Sequence, residues 1–171
     1  MSFDNTVFLS ERNTADTNHA LAYMMKSKNA FPEGTDLKKT LEFYFQCCSL
    51  KSDTEIMSVV AATLANGGIN PLNGHKIFSP NTVQNCLSVM NSCGMYDWSG
   101  QFSVKVGLPA KSGVAGAVMT VVPGVMGWAT YSPPLDSYGN SARGVQFCCE
   151  MTKNFSLHYF DIADNNDVRL R

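Results

Sequence analysis

The chain has 171 residues, of which 44% are hydrophobic and 16% are charged, and its formal net charge at pH 7 is -1. This balance indicates a folded chain with enough apolar side chains for a core, and it excludes an intrinsically disordered one. The charge gives no reason to expect nucleic acid or an anionic membrane surface as a partner, and no apolar run is long enough to span a membrane.

The first two predicted elements are helices. The spacing of apolar residues predicts a helix over residues 13–29, which the segment Phe31-Pro32-Glu33-Gly34 ends. Thr35 is then predicted to cap a second helix with a single apolar stripe. The apolar positions of the first helix are Ala20, Leu21, Met24 and Met25. The stripe of the second consists of Leu37, Leu41, Tyr44, Phe45 and Cys48.

Two further helices follow in the chain. Ser52 and Glu55 have the spacing of a capping box. The helix that they open is apolar nearly all round over residues 56–64, which is typical of a helix at the centre of a bundle, and Gly67-Gly68 ends it. Ser79-Pro80 starts the next helix with a cap and a first-turn proline. Its stripe consists of Val83, Cys86, Leu87 and Met90.

The pattern changes to β structure in the last third of the chain. Residues 114–122 and 125–131 predict two strands joined by a turn at Pro123-Gly124, and residues 144–154 predict a last helix. This order predicts an α+β fold: a helical cluster, an antiparallel β-hairpin covered on one side, and a C-terminal helix. Because a lone two-stranded hairpin is a poor sheet, we expect further strands, from a part of the domain outside this chain, to extend it.

The cysteines do not have the spacing of a metal site. They form two adjacent pairs and two isolated residues, without any Cys-x-x-Cys, and the three histidines lie away from them in the sequence. We therefore expect no metal and no cofactor, and thiols that are reduced and mostly buried. The cysteines are Cys47, Cys48, Cys86, Cys93, Cys148 and Cys149.

The triplet Lys111-Ser112-Gly113 is a candidate for part of an active site. Lys-Ser/Thr-Gly at the start of a strand recurs in acyl-transfer enzymes with a Ser-x-x-Lys nucleophile. Glycine lets a substrate approach the strand edge, backbone N–H groups there can stabilise an oxyanion, and the lysine and serine supply hydrogen-bond donors. The same triplet also fits an ordinary turn into a strand.

The longer stretch over residues 93–116 resembles the glutaminase family. Glutaminases carry Cys-Gly-Met-Tyr-Asp-x-Ser-Gly and then Gly-Leu-Pro-Ala-Lys-Ser-Gly-Val, and both blocks are present, at 93–100 and 107–114. The resemblance runs from about Ser10 to Phe155 and includes further blocks at 31–36, 57–68, 132–136 and 139–141. It implies a partial fold like that of serine β-lactamases and penicillin-binding proteins, and hydrolysis of L-glutamine to glutamate and ammonia through a serine acyl-enzyme.

The resemblance also implies substrate-binding residues. Ser10-Glu11 and Asn18 match the family's glutamine-binding pattern. Their separation of two helical turns would let Glu11 and Asn18 face one site, where the carboxylate suits the α-ammonium group of glutamine. The alternative for Glu11 is a charge at a helix N-terminus. Tyr44 matches a substrate-binding tyrosine, and its alternative is a core aromatic with one polar tip.

By the same resemblance, Tyr96 is the catalytic residue of this chain. It matches a tyrosine that contacts substrate and relays a proton between the serine hydroxyl and the leaving ammonia. Val114 matches the position whose backbone N–H completes the oxyanion hole. Lys111 and Ser112 are expected to support the site.

The family's nucleophile is not in this sequence, since no serine has a lysine three positions later. Glutaminases acylate the serine of a Ser-x-x-Lys motif, with the lysine as base, and in the family this motif precedes the stretch that Ser10 begins. We therefore expect residues 1–171 to be the C-terminal part of a glutaminase catalytic domain, inactive alone. Two alternatives stay open: a non-catalytic module that associates with full-length glutaminase, and a penicillin-recognising hydrolase.

The resemblance further implies a homo-oligomer, with a subunit contact through the helix at about residues 16–28. It implies an intracellular location, which would be mitochondrial for an animal-type enzyme and cytoplasmic for a bacterial one. The stretches at 99–102 and 114–116 look closer to the animal type.

Overall fold

The structure is a computed structural model that describes residues 1–161. These residues form two compact units, which meet in the sequence between Asp53 and Thr54.

The first unit contains three helices and a short antiparallel ladder. In chain order its elements are β1 (Ser2–Phe3), α1 (Asn5–Asn13), α2 (Asp16–Ser27), α3 (Leu37–Cys48) and β2 (Leu50–Lys51). β1 pairs with β2. A small apolar core, to which the helices contribute, is made of Ala15, Ala22, Leu37, Leu41 and Phe45.

The prediction of one helix over residues 13–29 is wrong at its N-terminal end, because α1 ends and α2 begins in this region. The Asp4 carboxylate caps α1 by accepting hydrogen bonds from the N–H groups of Thr6 and Val7, at 2.9 and 3.2 Å. α1 ends at Asn13, and α2 starts only at Asp16. The apolar residues of α1 are the consecutive Val7, Phe8 and Leu9, which do not have helical spacing, so periodicity does not predict this helix.

α3 is capped by Asp36 and not by Thr35. The Asp36 carboxylate accepts hydrogen bonds from two N–H groups of the first turn, at 3.0 and 3.2 Å, whereas the Thr35 hydroxyl donates to the Pro32 carbonyl. The buried stripe is also narrower than predicted. Its buried members are Leu37, Leu41 and Phe45, while Tyr44 and Cys48 are exposed.

The second unit contains a three-stranded sheet and most of the helices. In chain order its elements are α4 (Thr54–Ala65), α5 (Pro80–Cys93), a 3-10 helix (Tyr96–Trp98), α6 (Ser99–Lys105), β3 (Ala110–Gly113), β4 (Ala117–Val122), β5 (Met126–Tyr131) and α7 (Ala142–Phe155). The strands are antiparallel in the order β3-β4-β5. The predicted hairpin is therefore confirmed as β4 and β5. β3 extends it from within the chain, at a position where no strand was predicted.

Helices cover both faces of this sheet, so the prediction of one covered side is wrong. Met119 and Val121 of β4 pack in a cluster with residues of α4 and α5. Val118 and Val122, which alternate with them along the strand, pack in a second cluster with α6 and α7. This alternation is the expected period of a strand buried on both sides. The α+β class itself is confirmed.

The thiols are mostly exposed, which contradicts the prediction of buried cysteines. Cys148 is buried and Cys149 is half-buried, whereas Cys47, Cys48, Cys86 and Cys93 lie at the surface, and none of the six forms a disulfide within residues 1–161. Over residues 1–161 no three His, Cys, Asp or Glu side chains come together in a group that could hold a metal ion. In the same part of the chain, every helix is too short or too polar to cross a membrane.

Candidate functional site

β3 carries the Lys-Ser-Gly triplet, on an outer strand of the three-stranded sheet. The backbone N–H of Ser112 donates to the Gly94 carbonyl at 2.9 Å, which ties the strand to the end of α5. The side chain of Ser112 is buried, and its hydroxyl has no hydrogen-bond partner within residues 1–161. A buried hydroxyl without a partner costs free energy, so its retention here points to a functional constraint.

Gly94 lets α5 end directly against β3. A Cβ atom at this position would lie 1.7 Å from the Ala110 carbonyl oxygen and 2.4 Å from the Met90 carbonyl oxygen. Only glycine fits such an approach of one backbone to another. The chain then turns through the buried Met95, which places Tyr96 beside β3.

Tyr96 is the centre of the side-chain cluster at β3. Its hydroxyl donates to the Ser112 carbonyl at 3.3 Å. The Lys111 ammonium lies 5.0 Å from the centroid of the Tyr96 ring and donates to the same carbonyl. The structure therefore brings together Tyr96, Lys111 and Ser112, which are predicted site residues from two separate sequence blocks.

The backbone of Tyr96 is strained, with a φ of 52°. A left-handed conformation at a residue other than glycine costs about 1–3 kcal/mol, and such strain collects at functional sites where the surroundings enforce it. Two buried polar side chains surround this turn: Ser99 accepts from the Met95 N–H at 2.9 Å and donates to the Tyr96 carbonyl at 2.7 Å. The side-chain amide of Asn140 donates to the Met95 carbonyl at 3.2 Å.

The sequence patterns did not single out Ser99 or Asn140. Both fall in blocks that resemble the glutaminase family, but no role could be assigned to them there. The available signal was indirect: Asn140 lies in a polar loop after Pro133-Pro134, and a polar loop residue is normally exposed. Its complete burial appears only in the folded unit.

Val114 lies just beyond β3, in the turn that leads to β4. The Gly116 N–H donates to the Gly113 carbonyl at 2.9 Å, which closes this turn. The side chain of Val114 is 71% exposed, so it contributes little to the core. The strand predicted from residue 114 in fact begins at Ala117. The role predicted for Val114 requires only its backbone N–H, and it stays a prediction.

Glu11 and Asn18 lie on different helices of the first unit. Glu11 is in the last turn of α1 and Asn18 is in the first turn of α2. The expectation that two turns of one helix would align them is therefore wrong. The alternative for Glu11, a stabilising charge at a helix N-terminus, is also wrong. A carboxylate near a helix C-terminus is disfavoured by the helix dipole, so helix stability does not explain Glu11.

Tyr44 projects from α3 with 49% of its surface exposed. Its ring meets that of Phe45 edge-on, with the centroids 5.8 Å apart. Phe45 is the residue that enters the core, so the alternative of Tyr44 as a core aromatic is wrong. The structure leaves the Tyr44 side chain accessible on the helix surface, and its predicted role in substrate binding stays a prediction.

Comparison with known proteins identifies the family that this chain resembles. The family model described as Glutaminase matches residues 1–160. Among curated relatives, "Putative glutaminase 3" of Caenorhabditis elegans is 52% identical over 171 residues, covering 98% of this chain and 29% of the relative. The mitochondrial liver isoform of glutaminase from Mus musculus is 52% identical over 161 residues, covering 94% of this chain and 27% of the relative. The chain thus spans less than a third of the length of these relatives.

A solved structure of a Bacillus subtilis glutaminase has the same fold. It is the covalent complex between YbgJ and 5-oxo-L-norleucine, formed by reaction with 6-diazo-5-oxo-L-norleucine. The TM-score is 0.85 at 34% sequence identity, and the match covers 93% of this chain and 56% of that one. The predicted relation to the serine β-lactamase-like fold is confirmed through such neighbours.

Proposed function

The chain belongs to the glutaminase family, and from this we propose that it provides substrate-binding and proton-transfer residues for the hydrolysis of L-glutamine to glutamate and ammonia. The nucleophile of the proposed reaction is the serine of a Ser-x-x-Lys segment, which residues 1–171 do not contain. The proposal therefore concerns an enzyme in which such a segment is also present.

The proposed reaction has two steps. The serine oxygen attacks the side-chain amide carbon of glutamine, and the proton of the serine hydroxyl is relayed through Tyr96 to the departing nitrogen, so that the C–N bond breaks and ammonia leaves. Water then hydrolyses the ester to glutamate and the free serine. The Val114 N–H stabilises the oxyanion in both steps. Glu11 binds the α-ammonium group, while Asn18 and Tyr44 bind other parts of glutamine.

The observation that carries this proposal is the strained Tyr96 at β3. Its hydroxyl bonds to the Ser112 carbonyl on the strand that holds the Lys-Ser-Gly triplet. A glycine could adopt this backbone conformation without strain and would pack as well. We therefore attribute the retention of a strained tyrosine to the position that it gives the phenol group. The Bacillus subtilis glutaminase that forms a covalent complex supports a covalent mechanism in the family.

The proposed function is tested by comparing the chain with and without a segment that contains Ser-x-x-Lys. The purified chain should release no ammonia from glutamine, and an enzyme form that also contains a Ser-x-x-Lys segment should release it. In that active form Tyr96→Phe should lower turnover by about two to four powers of ten, the usual contribution of one acid–base group. The Michaelis constant should change less, because the loss is in the transition state. Unchanged turnover would mean that Tyr96 packs against its neighbours and transfers no proton.

A second candidate function is a non-catalytic module that associates with full-length glutaminase. The observation in its favour is the absence of Ser-x-x-Lys from residues 1–171. It predicts that the chain co-purifies with a full-length glutaminase and changes its activity. The family assignment leaves no support for the third alternative, a penicillin-recognising hydrolase.

We also propose a homo-oligomer and a mitochondrial location. α2 exposes an apolar surface suited to a subunit contact, and the curated relative from Mus musculus is named as mitochondrial. Fractionation of cells that contain the protein, followed by immunodetection, tests the location. Recovery outside the mitochondrial fraction would contradict it.

A further inference from the structure

We propose that Asn140 is a positioning residue that holds the backbone of Tyr96 in the conformation that the proposed reaction uses. This inference rests on the proposed function for the role of Tyr96, but the contact itself can be tested separately. Asn140 lies in the loop before α7, more than forty residues from Tyr96 in the sequence.

The first step of the argument is the geometry of the two peptide groups that flank Tyr96. The Met95 carbonyl and the Tyr96 N–H belong to one rigid plane, and rotation of that plane about the N–Cα bond is the φ of Tyr96. The Met95 carbonyl accepts two hydrogen bonds of 3.2 Å, one from the backbone N–H of Trp98 and one from the side-chain amide of Asn140, which is the only side-chain donor to it within residues 1–161. Ser99 anchors the Tyr96 carbonyl in the next plane at 2.7 Å. With both planes fixed, Tyr96 cannot relax from its φ of 52°.

The second step is that Asn140 is itself held in place. Its N–H donates to the Asp136 carboxylate at 3.0 Å, and its carbonyl accepts from the Asp136 N–H at 2.7 Å. The same loop also lines the Tyr96 ring, since a Cβ atom on Gly139 would lie 3.8 Å from two ring carbons. One loop therefore contacts both the ring of Tyr96 and the peptide that orients it.

The third step shows that Asn140 is retained for its hydrogen bond to the Met95 carbonyl and not for packing. Asn140 is fully buried, and its side-chain oxygen has no hydrogen-bond partner within residues 1–161. A buried amide with one unpaired atom is more costly than an apolar side chain of the same size. The Met95 carbonyl can only accept, so the nitrogen of the amide must face it. The donated hydrogen bond is thus the feature that accounts for asparagine here.

The test compares Asn140→Asp with Ser141→Ala in the 171-residue chain. The first variant keeps the size of the side chain and replaces the donor with a carboxylate oxygen. The second is a matched control in the neighbouring residue. It removes the buried 2.8 Å bond from the Ser141 hydroxyl to the Ser132 carbonyl and the cap of α7, and none of its hydrogen bonds reaches residues 95–99. The readout is NMR of ring-labelled tyrosine, with the Tyr96 signals assigned from Tyr96→Phe.

At a pH above the raised pKa of the new carboxyl, Asn140→Asp should shift the Tyr96 ring signals, and Ser141→Ala should leave them in place. Because a buried carboxyl has a raised pKa, acidification should protonate the new side chain, restore a donor to the Met95 carbonyl, and return the signals toward their original positions. Equal shifts in the two variants, no shift in either, or no return on acidification overturns the proposal. If Asn140→Asp does not fold, Asn140→Ser is compared with the control in the same way. A shift of the Tyr96 signals in Asn140→Ser alone then supports the proposal, and equal shifts or no shift in either variant overturns it.

Kinetics in the active form distinguishes this inference from the proposed function. Asn140→Asp should lower turnover by about 10- to 100-fold, the effect of a displacement of roughly 1 Å, with a smaller change in the Michaelis constant. If Tyr96→Phe lowers turnover and Asn140→Asp does not, the positioning role is overturned. If Tyr96→Phe has no effect while the NMR shifts are seen, the proposed function of Tyr96 fails and the contact that holds it stands.

Discussion

Glu11 places a negative charge in the last turn of α1, where the helix dipole disfavours it. In the active form, Glu11→Gln should leave stability unchanged or raise it by up to about 1 kcal/mol, since it removes this unfavourable charge. If Glu11 pairs with the α-ammonium of glutamine, the change also leaves a partly desolvated cation unpaired, at a cost of roughly 2–5 kcal/mol. The specificity constant should then fall by about one and a half to nearly four powers of ten.

The control for Glu11 is a change of substrate. An analogue of glutamine with an acylated, uncharged α-amino group offers no cation to Glu11, so the loss on Glu11→Gln should shrink with it. Glu33→Gln, at an exposed glutamate of the same unit, should affect neither substrate. Equal losses on the charged and the uncharged substrate would refute the contact with the α-ammonium.

Cys148 should make the chain less stable at alkaline pH. Burial raises the pKa of the Cys148 thiol above its ordinary value of 9.0, and a hydrogen bond with Thr120 offsets part of this rise. The unfolded chain loses the thiol proton once the pH passes 9.0, while the folded chain keeps it. The favourable contribution is therefore complete below that pH and is lost as the pH rises toward the folded pKa.

The measurement is the free energy of unfolding in urea, from pH 7 to pH 10.5, for the wild-type chain and Cys148→Ala. The wild type should lose more stability over this range, so that its advantage over the variant narrows. Parallel curves for the two proteins would show that the Cys148 thiol is not protected by burial.

At the scale of elements, the sequence predicted the helices and strands whose apolar residues form a regular stripe or a continuous run. α3 and α5 each bury an apolar stripe, and α7 buries one side that consists of Gly144, Cys148 and Thr152. The predicted positions of all three helices agree with the structure within a few residues. The apolar residues of α1 do not have helical spacing and β3 consists of Ala-Lys-Ser-Gly, a poor β-forming stretch, so neither could be identified from periodicity. The Asp4 cap and the packing of Phe8 against the core of the first unit stabilise α1, and pairing with β4 stabilises β3.

The contact between α5 and β3 gives a prediction at this scale. Gly94→Ala forces a methyl group to within 1.7 Å of the Ala110 carbonyl oxygen, so the end of the helix or the strand must move. We expect a loss of about 1–3 kcal/mol or more from such overpacking, together with displacement of Tyr96. Thermal or urea unfolding measures the loss, and NMR of labelled tyrosine reports the displacement.

Gly100→Ala is the matched control, because a Cβ atom there meets no other group within 4 Å. It lies inside α6, where alanine is favoured over glycine by about 1 kcal/mol. We therefore expect Gly100→Ala to be neutral or stabilising. Equal effects of the two substitutions would show that the close approach at Gly94 is not what constrains that position.

At the scale of the whole molecule, the predicted site residues divide between the two units. Glu11, Asn18 and Tyr44 lie in the first, and the second holds Tyr96, Lys111, Ser112 and Val114. Periodicity and spacing could not predict this set, because residues far apart in a sequence carry no local sign of a shared chemistry. Family resemblance supplied the residues. The φ of Tyr96 and the buried bonds of Ser99 and Asn140 depend on folding and required the structure.

The surface of α2 predicts that the chain self-associates. Four large apolar side chains on this helix are 45–58% exposed: Leu21, Tyr23, Met24 and Met25. Apolar groups in such a cluster are typical of an interface. Light scattering after size-exclusion chromatography at micromolar concentration should therefore give a mass at least twice the 18.7 kDa of one chain.

The double variant Leu21→Glu/Met25→Lys should dissociate the assembly without weakening α2, because a glutamate four residues before a lysine forms a favourable pair on a helix. Each half-exposed side chain contributes on the order of 1 kcal/mol when an interface buries it. In a two-fold contact both changes count twice, which gives about 4 kcal/mol and roughly a thousandfold rise in Kd. Val104→Lys, at an exposed valine of α6, is the control and should leave the mass unchanged. A wild-type chain that runs as a monomer, or a control that dissociates as fully as the double variant, would exclude α2 as the contact surface.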